Sequence, residues 1–197
     1  CGTRIIKMIV LVTGGTGFVG SQLLWQLSQD TAFQLRASVR TVAENLPDQI
    51  SVFQVDNIDA ETAWQEVLVD CKTVIHTAAR AHIMDDASLD PLTEFRRVNV
   101  EGSLNLARQA IVAGVKRFVF LSSIKVNGEM TRAGLPFTPD DVSVPEDPYG
   151  LSKYEAEQGL LALAQETGME LVIIRPPLVY GPHVKANFFS MMKCYFS

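Results

Sequence analysis

A tyrosine and a lysine four residues apart, Tyr149 and Lys153 in the segment YGLSK, have the spacing of an acid–base pair. On a helix, residues four apart lie on one face and can act at one site. A lysine ammonium beside a phenol stabilises the phenolate, which lowers the phenol pKa from its ordinary value of about 10. Tyr149 could then exchange a proton with a substrate hydroxyl near neutral pH. By itself, the pair is equally typical of two surface side chains at the start of a helix.

Two further polar residues, Ser123 and Asn99, belong to the same hypothesis. Ser123 follows the apolar run RFVFL, and its hydroxyl can hold the oxygen that Tyr149 protonates. A serine in this position can also end a strand through a local backbone hydrogen bond. Asn99 falls inside a predicted helix, where asparagine is slightly unfavourable. It either bonds backbone or water beside the site, or it faces solvent as an ordinary polar residue.

The stretch 8–27, MIVLVTGGTGFVGSQLLWQL, predicts a buried strand, a glycine turn and an amphipathic helix in succession. Gly14, Gly17 and Gly20 recur every three residues within the turn. A pyrophosphate requires such glycines because the backbone must turn tightly and approach the phosphates closely. The start of the helix supplies free N–H groups and partial positive charge. In this context the turn predicts a dinucleotide-binding site rather than a plain loop.

Alternating strands and helices follow this turn. Further strands are predicted over 33–40, 50–55, 73–76, 117–121 and 171–174, with helices over 58–69 (capped by Asp59), 92–113 and 149–167. Residues 124–148 form the one long irregular segment, and segments of this length are usually functional. The alternation predicts an α/β fold with a doubly wound parallel sheet, the Rossmann fold. Ligands of such sheets gather at the carboxyl ends of the strands.

Composition excludes several classes of function. The 197 residues carry 17 Lys and Arg against 22 Asp and Glu, a net charge of −5. The sequence therefore lacks the excess of basic residues that is typical of nucleic-acid-binding proteins. The apolar runs are too short to span a membrane, and no signal peptide is recognisable. Cys1, Cys71 and Cys194 lack CxxC spacing, and the three histidines lack metal-ligand spacing. We therefore predict no metal site and a reducing, cytoplasmic location.

Seven segments occur here in one order: TGGTGFVG, the Asp56 element, HTAA, NVEGSLNL, FLSSIKVNG, YGLSKYEAE and RPPLVYGP. Together they resemble the extended short-chain dehydrogenase/reductase family, particularly its nucleotide-sugar epimerases and dehydratases. The resemblance implies a dinucleotide-binding Rossmann domain over 8–180. Residues 1–7 are expected to be an extension or remnant, and 181–197 the start of a truncated substrate-binding region.

The resemblance also implies roles for individual residues. Ser123, Tyr149 and Lys153 match the catalytic triad, with Asn99 as a supporting fourth member. Asn187 looks like the asparagine that contacts the nucleotide diphosphate in UDP-sugar epimerases. The implied dinucleotide-binding residues are Gly14, Thr16, Gly17, Phe18, Val19 and Gly20 at the pyrophosphate, Asp56 and Asn57 at the adenine, Thr77, Ala78 and Ala79 at the middle, and Pro176 and Pro177 beside the nicotinamide, together with Tyr149 and Lys153.

Two positions depart from the family pattern. Arg40 stands where an acid would accept from the ribose 2′-OH of NAD. Arginine suits the 2′-phosphate of NADP, or it can stack on adenine, so NAD and NADP both remain open. Ile124 and Lys125 stand where the 4,6-dehydratases carry an Asp-Glu pair. The absence of those carboxylates argues against a dehydratase.

The resemblance predicts a nucleoside-diphosphate-sugar epimerase, in particular a UDP-hexose 4-epimerase acting by transient hydride transfer through a 4-keto sugar. The nearest alternative is an NADP-dependent keto-sugar or flavonol-type reductase with the same triad, which Arg40 favours. A non-catalytic dinucleotide-binding redox sensor is the alternative from another class. The resemblance also implies a homodimer, in which the helices over 92–113 and 149–167 of both subunits form a four-helix bundle.

Overall fold

Six parallel strands form a single sheet in the computed structural model, which describes residues 7–41, 46–81, 90–131 and 133–181. The strands are β1 (Met8–Thr13), β2 (Phe33–Val39), β3 (Ser51–Gln54), β4 (Thr73–His76), β5 (Arg117–Leu121) and β6 (Glu170–Ile174). Their spatial order is β3-β2-β1-β4-β5-β6, and every neighbouring pair is parallel. This is the strand order of a doubly wound dinucleotide-binding sheet, so the predicted α/β fold is confirmed.

Helices cover the two faces of the sheet because successive side chains of each strand point to opposite sides. On one face, Val10 and Val12 pack with Leu24 of helix α1 (Phe18–Leu27). On the other face, Leu11 belongs to a core shared with three helices. These are α2 (Gln65–Leu68), α4 (Ser103–Val112) and α5 (Pro148–Thr167). Burial on both faces explains the continuous apolar sequence of β1.

A π-helix, Arg96–Gly102, interrupts the long helical segment before β5. It joins α3 (Pro91–Phe95), which Asp90 caps at the N-terminus, directly to α4. The helical character predicted over 92–113 is thus confirmed, but the change of winding has no signal in the apolar pattern. π-turns inside helices are frequent at functional sites.

The helix predicted over 58–69 is wrong for most of its length, since only Gln65–Leu68 is helical. Asp59 caps a turn rather than a helix, and its carboxylate accepts from the Glu61 N–H at 3.1 Å. The amides of Asn105 and Gln109 on α4 both donate to the Thr62 carbonyl at 2.8 Å. These long-range hydrogen bonds hold the segment in its irregular path, in competition with local helix formation.

Helix α5 matches its prediction closely. Asp147 caps its N-terminus by accepting from the Gly150 N–H at 3.0 Å. Gly168 ends it in the left-handed conformation at φ 74°, where glycine is favoured. Within the described ranges, none of the helices has both the length and the apolar character needed to cross a bilayer. The same residues contain no cluster of three or more metal-ligating side chains.

Candidate active site

The glycine turn lies at the carboxyl end of β1, directly against the end of β4. Gly14 has φ +69°, and a Cβ there would lie 2.9 Å from the backbone N and Cα of Ala78. A Cβ on Gly20 would overlap the Gly14 carbonyl oxygen and lie 2.8 Å from Thr77 Oγ1. Among the described residues, no side chain caps the start of α1 at Gly17, which leaves its first N–H groups available to an anion. This closed, cap-free turn fits a dinucleotide pyrophosphate.

The other residues predicted to bind a dinucleotide lie along the same edge of the sheet. Asp56 and Asn57 line a cavity of about 370 Å³. Gln54, at the end of β3, donates to the Asp56 carboxylate and to the Arg40 carbonyl, both at 3.3 Å. Arg40 is exposed immediately after β2. The remaining members lie on the glycine turn, in the first turn of α1, or on the segments after β4 and β6: Thr16, Phe18, Val19, Thr77, Ala78, Ala79, Pro176 and Pro177. Their contacts with a cofactor stay a prediction.

Asn99 lies on the π-helix and is 1% exposed, so the solvent-facing alternative is wrong. Its Oδ1 accepts from the Arg80 N–H at 2.8 Å, and its Nδ2 donates to the Arg80 carbonyl at 3.1 Å. Nδ2 also donates to Ser152 Oγ at 2.9 Å, and that hydroxyl donates to the Tyr149 carbonyl at 2.7 Å. Asn99 therefore joins the chain after Ala79 to the first turn of α5.

Lys153 is buried beside the end of β5. Its Nζ donates to the Leu121 carbonyl at 2.8 Å and lies 4.4 Å from the centre of the Phe120 ring. Burial lowers the pKa of Lys153 to about 7, and the nearby Glu157 carboxylate opposes this shift. The lysine is therefore poised between its ammonium and amine forms near neutral pH.

Tyr149 does not show the lowered pKa that its spacing from Lys153 predicts. Burial, followed by the charge of Asp147, raises the pKa of the phenol. The ring packs edge-on against Phe95, with 6.1 Å between the ring centres. The predicted shift is wrong for this structure because the Lys153 nitrogen points to the Leu121 carbonyl and the Phe120 ring.

Ser123 lies at the carboxyl end of β5, where it begins a short 3₁₀-helix, Ile124–Val126. Its Oγ accepts from the Lys125 N–H at 3.3 Å. This is the local hydrogen bond to the backbone that was the alternative to a catalytic role for Ser123. That contact uses an acceptor lone pair and leaves the hydroxyl proton for a second partner. Among the described residues, Ser123 and Tyr149 share no hydrogen bond. Their joint catalytic role stays a prediction.

Sequence reasoning did not identify a group of buried polar residues between β1 and α5: Thr13, His76, Ser103 and Ser152. Thr13 Oγ1 lies 2.6 Å from His76 Nδ1, and His76 Nε2 lies 2.9 Å from Ser103 Oγ. A histidine that ends an otherwise apolar buried strand, as in TVIH, is the signal that could have revealed this group. Buried polar side chains must find hydrogen-bond partners, so His76 required one on a neighbouring element.

Asn187, predicted to contact the nucleotide diphosphate, lies outside the described residues. The same is true of 1–6 and 182–197, so the proposed division into 1–7, 8–180 and 181–197 stays a prediction.

Comparisons with known proteins place nearly the whole chain in one family. The family model described as the NAD dependent epimerase/dehydratase family matches residues 10–194. A UDP-glucose 4-epimerase of Vibrio cholerae is 51% identical over 192 residues, which is 98% of this chain and 58% of that protein.

Two solved structures extend the comparison. The Thermotoga maritima UDP-glucose 4-epimerase with UDP-glucose superposes with a TM-score of 0.78 at 27% identity, covering 93% of this chain and 61% of that one. MoeE5, in complex with UDP-glucose and NAD, gives a TM-score of 0.77 at 30% identity and covers 92% and 58%. The chain thus spans about three fifths of the length of these relatives.

Proposed function

Because the chain belongs to the NAD dependent epimerase/dehydratase family, we propose that the protein is a nucleoside-diphosphate-sugar epimerase acting at C4 of a UDP-hexose. The observation that carries this proposal is the 51% identity to the Vibrio cholerae UDP-glucose 4-epimerase over 98% of the chain. The likeness to the Thermotoga maritima epimerase, solved with UDP-glucose, supports it. Ile124 and Lys125, in place of a carboxylate pair after Ser123, favour epimerisation over dehydration.

We propose NAD as the cofactor, since MoeE5 was solved with NAD at 30% identity. When bound, the dinucleotide supplies the hydride acceptor and donor for the sugar carbon. In this chain, the backbone of the glycine turn would hold the pyrophosphate, and Asp56 and Asn57 would border the adenine. Arg40 makes NADP the competing outcome. Titrating the protein with each dinucleotide decides between them, and tighter binding of NADP that Arg40→Ser removes would overturn the choice of NAD.

The proposed chemistry of the chain's own residues is proton transfer and positioning. Tyr149 removes the proton from the sugar 4-OH and later returns it, while Ser123 donates a hydrogen bond to the developing carbonyl oxygen. Because burial and Asp147 raise the pKa of Tyr149, its phenol needs positive charge nearby to act as a base. Lys153 lies on the same helical face, and its ammonium would provide this charge once the nitrogen turns from the Leu121 carbonyl toward the phenol.

The test is Tyr149→Phe, with Tyr154→Phe on the same helix as the matched control. We expect Tyr149→Phe to slow interconversion of UDP-glucose and UDP-galactose by at least about 100-fold, the usual contribution of a positioned acid–base group. Dinucleotide binding should persist in both variants, and Tyr154→Phe should stay active. Unchanged interconversion in Tyr149→Phe contradicts the catalytic assignment. NADPH consumption against a ketone without sugar interconversion indicates the reductase, and dinucleotide binding without any turnover indicates the redox sensor.

We further propose a homodimer formed through α4 and α5. The two helices lie side by side on one face of the sheet, and Gly159 of α5 permits close approach, since a Cβ there would lie 2.7 Å from Leu104. Leu161 on α5 and Val112 at the end of α4 are 39% and 89% exposed. Leu161→Glu is expected to give monomers in sedimentation velocity, whereas Leu135→Glu, at a 63% exposed position of the 133–147 loop, should not. A dimer that persists in Leu161→Glu contradicts this interface.

We also propose the cytoplasm as the location, supported by the state of Cys71. This cysteine is free and buried, its thiol donates to the Thr73 carbonyl at 3.2 Å, and burial raises its pKa. A free thiol is typical of a reducing compartment. Cell fractionation tests the proposal, and recovery in an extracytoplasmic fraction overturns it.

A further inference from the structure

A chain of buried polar side chains connects the end of β1 with the π-helix, and its hydrogen bonds run in one direction. Ser103 Oγ donates to the Asn99 carbonyl at 2.7 Å, which uses the single hydroxyl hydrogen of Ser103. With that hydrogen on the Asn99 carbonyl, His76 Nε2 is the donor at its 2.9 Å contact with Ser103 Oγ. Its Nδ1 then carries no hydrogen and accepts from the Thr13 hydroxyl at 2.6 Å. The neutral Nε2–H tautomer satisfies Thr13, Ser103 and the Asn99 carbonyl together, whereas the Nδ1–H tautomer would take the Ser103 hydrogen away from that carbonyl.

The surroundings of His76 hold the ring in this neutral form. The side chain is fully buried, and it stacks on Phe120 and contacts Phe118 at ring-centre distances of 5.9 and 6.0 Å. Burial, and then the charge of Lys153, lowers the pKa of His76 to about 3. Among the residues that the structure describes, Lys153 is the charged group that acts on the ring, and it disfavours the imidazolium.

Each end of this row of hydrogen-bonded side chains contacts one part of the proposed site. At one end, Thr13 Oγ1 accepts from the Ala78 N–H at 3.4 Å, and the Thr13 carbonyl accepts from Thr77 Oγ1 at 2.6 Å. This joins the ends of β1 and β4, where Gly14 abuts Ala78. At the other end, the amide of Asn99 bonds Arg80 and Ser152, and Ser152 bonds the Tyr149 carbonyl.

We propose that His76 is a positioning residue, held as its Nε2–H tautomer, that couples the placement of the glycine turn to the placement of Asn99 and Tyr149. Its contact with Thr13 supports dinucleotide binding, and its contact with Ser103 supports turnover. The expected effect on turnover rests on the proposed function, whereas the tautomer and the expected effect on dinucleotide binding do not.

Two substitutions each keep one half of the histidine's hydrogen bonding. The amide of His76→Asn reaches the position of Nδ1 and preserves a partner for Thr13, and that of His76→Gln reaches the position of Nε2 and preserves one for Ser103. We expect His76→Asn to bind NAD within about twofold of the wild type and to lose roughly tenfold in kcat, the scale of one hydrogen bond. His76→Gln should show the reverse, a Kd for NAD raised roughly tenfold with kcat at saturating NAD retained.

Smaller changes at the partners keep the test decisive if either His76 variant fails to fold. Thr13→Val should raise the Kd for NAD, and Ser103→Ala should lower kcat. Equal effects of Thr13→Val and Ser103→Ala on both quantities, or none on either, overturn the coupling. ¹⁵N NMR of the wild-type imidazoles should show a hydrogen on His76 Nε2, and a hydrogen on Nδ1 would overturn the tautomer. If sugar turnover is absent while the NAD and NMR results are as expected, the proposed function is wrong. The tautomer and the role of His76 in dinucleotide binding are then still supported.

Discussion

Arg175 and Glu157 form a buried ion pair between the end of β6 and the middle of α5. The Arg175 Nε and Nη2 atoms donate to the Glu157 carboxylate at 3.0 and 2.6 Å, and the two side chains are 15% and 0% exposed. Arg175 Nη1 also donates to the carbonyls of Pro139 and Asp141 at 3.1 and 3.3 Å. Since Arg175 directly precedes Pro176, this pair links α5, the 133–147 loop and the segment predicted to lie beside the nicotinamide.

Replacing Glu157 with glutamine should move the pH dependence of turnover. The Glu157 carboxylate raises the pKa of Lys153 against the effect of burial. Replacing this carboxylate with a neutral amide should therefore lower the pKa of Lys153 from its value of about 7. If the Lys153 ammonium is required, activity falls as pH rises through this pKa, and the alkaline limb of kcat/KM shifts to lower pH. The control is Glu155→Gln, at a 28% exposed glutamate on the same helix that pairs with Arg96, and it should leave the limb in place.

The same variant has an expected cost in stability. Arg175 is 15% exposed and keeps its bonds to the Pro139 and Asp141 carbonyls, so we expect the loss of the carboxylate charge to destabilise the protein by about 1–3 kcal/mol. The pH profile of Glu157→Gln should therefore be measured well below its melting temperature. An alkaline limb that does not move in the folded variant shows that Glu157 does not control Lys153.

Gly20→Ala should lose dinucleotide binding, because its Cβ would overlap the Gly14 carbonyl oxygen and press on Thr77. The matched control is Gly114→Ala, where φ is +78° but no atom of the described residues lies within 4 Å of the added Cβ. Left-handed backbone strain should make Gly114→Ala less stable by about 1–2 kcal/mol without affecting affinity. Calorimetric titration with NAD and denaturant unfolding measure the two effects. Wild-type affinity in a folded Gly20→Ala variant would contradict the role of the turn.

His76 should make the free energy of unfolding depend on pH between about 3 and 6.5. In this window the unfolded chain protonates the imidazole while the folded chain keeps it neutral, because the pKa falls from 6.5 to about 3 on folding. Stability therefore rises with pH by about 1.4 kcal/mol per unit from this group, and it is lost as the pH falls below about 6.5. Urea unfolding measured across this pH range should show that the free energy of unfolding rises less steeply with pH in His76→Gln than in the wild type. An equally steep rise in both proteins would mean that the pKa of His76 is not lowered on folding.

Asn99→Asp should destabilise the chain by about 1–3 kcal/mol, the penalty for unsatisfied buried groups. The Nδ2 atom donates to the Arg80 carbonyl and to Ser152 Oγ, and a carboxylate oxygen there offers a second acceptor instead of a donor. Asn57→Asp, at an exposed position, is the control and should unfold like the wild type. Denaturant midpoints for the two variants measure the difference.

The fold was predictable because its signals are local and repeated. The apolar run of β1, the glycine spacing and the cap of α5 at Gly168 each specify an element without reference to distant residues. The irregular 58–64 segment was not predictable, since amides on α4, more than forty residues away, determine its path. Likewise, the Tyr149–Lys153 spacing places both residues on one helical face, but the lysine nitrogen is directed by Leu121 and Phe120 on a neighbouring strand.

The π-helix also affects how this region tolerates changes in chain length. A π-turn is wound with i→i+5 hydrogen bonds, so it accommodates about one residue more than the corresponding stretch of α-helix. Deleting one residue from Arg96–Gly102 would allow regular winding and leave α3 and α4 intact, while turning the amide of Asn99 away from Arg80 by up to about 100°, one residue's rotation. A one-residue deletion here would thus separate the folding of the domain from the placement of the Asn99 amide beside Arg80.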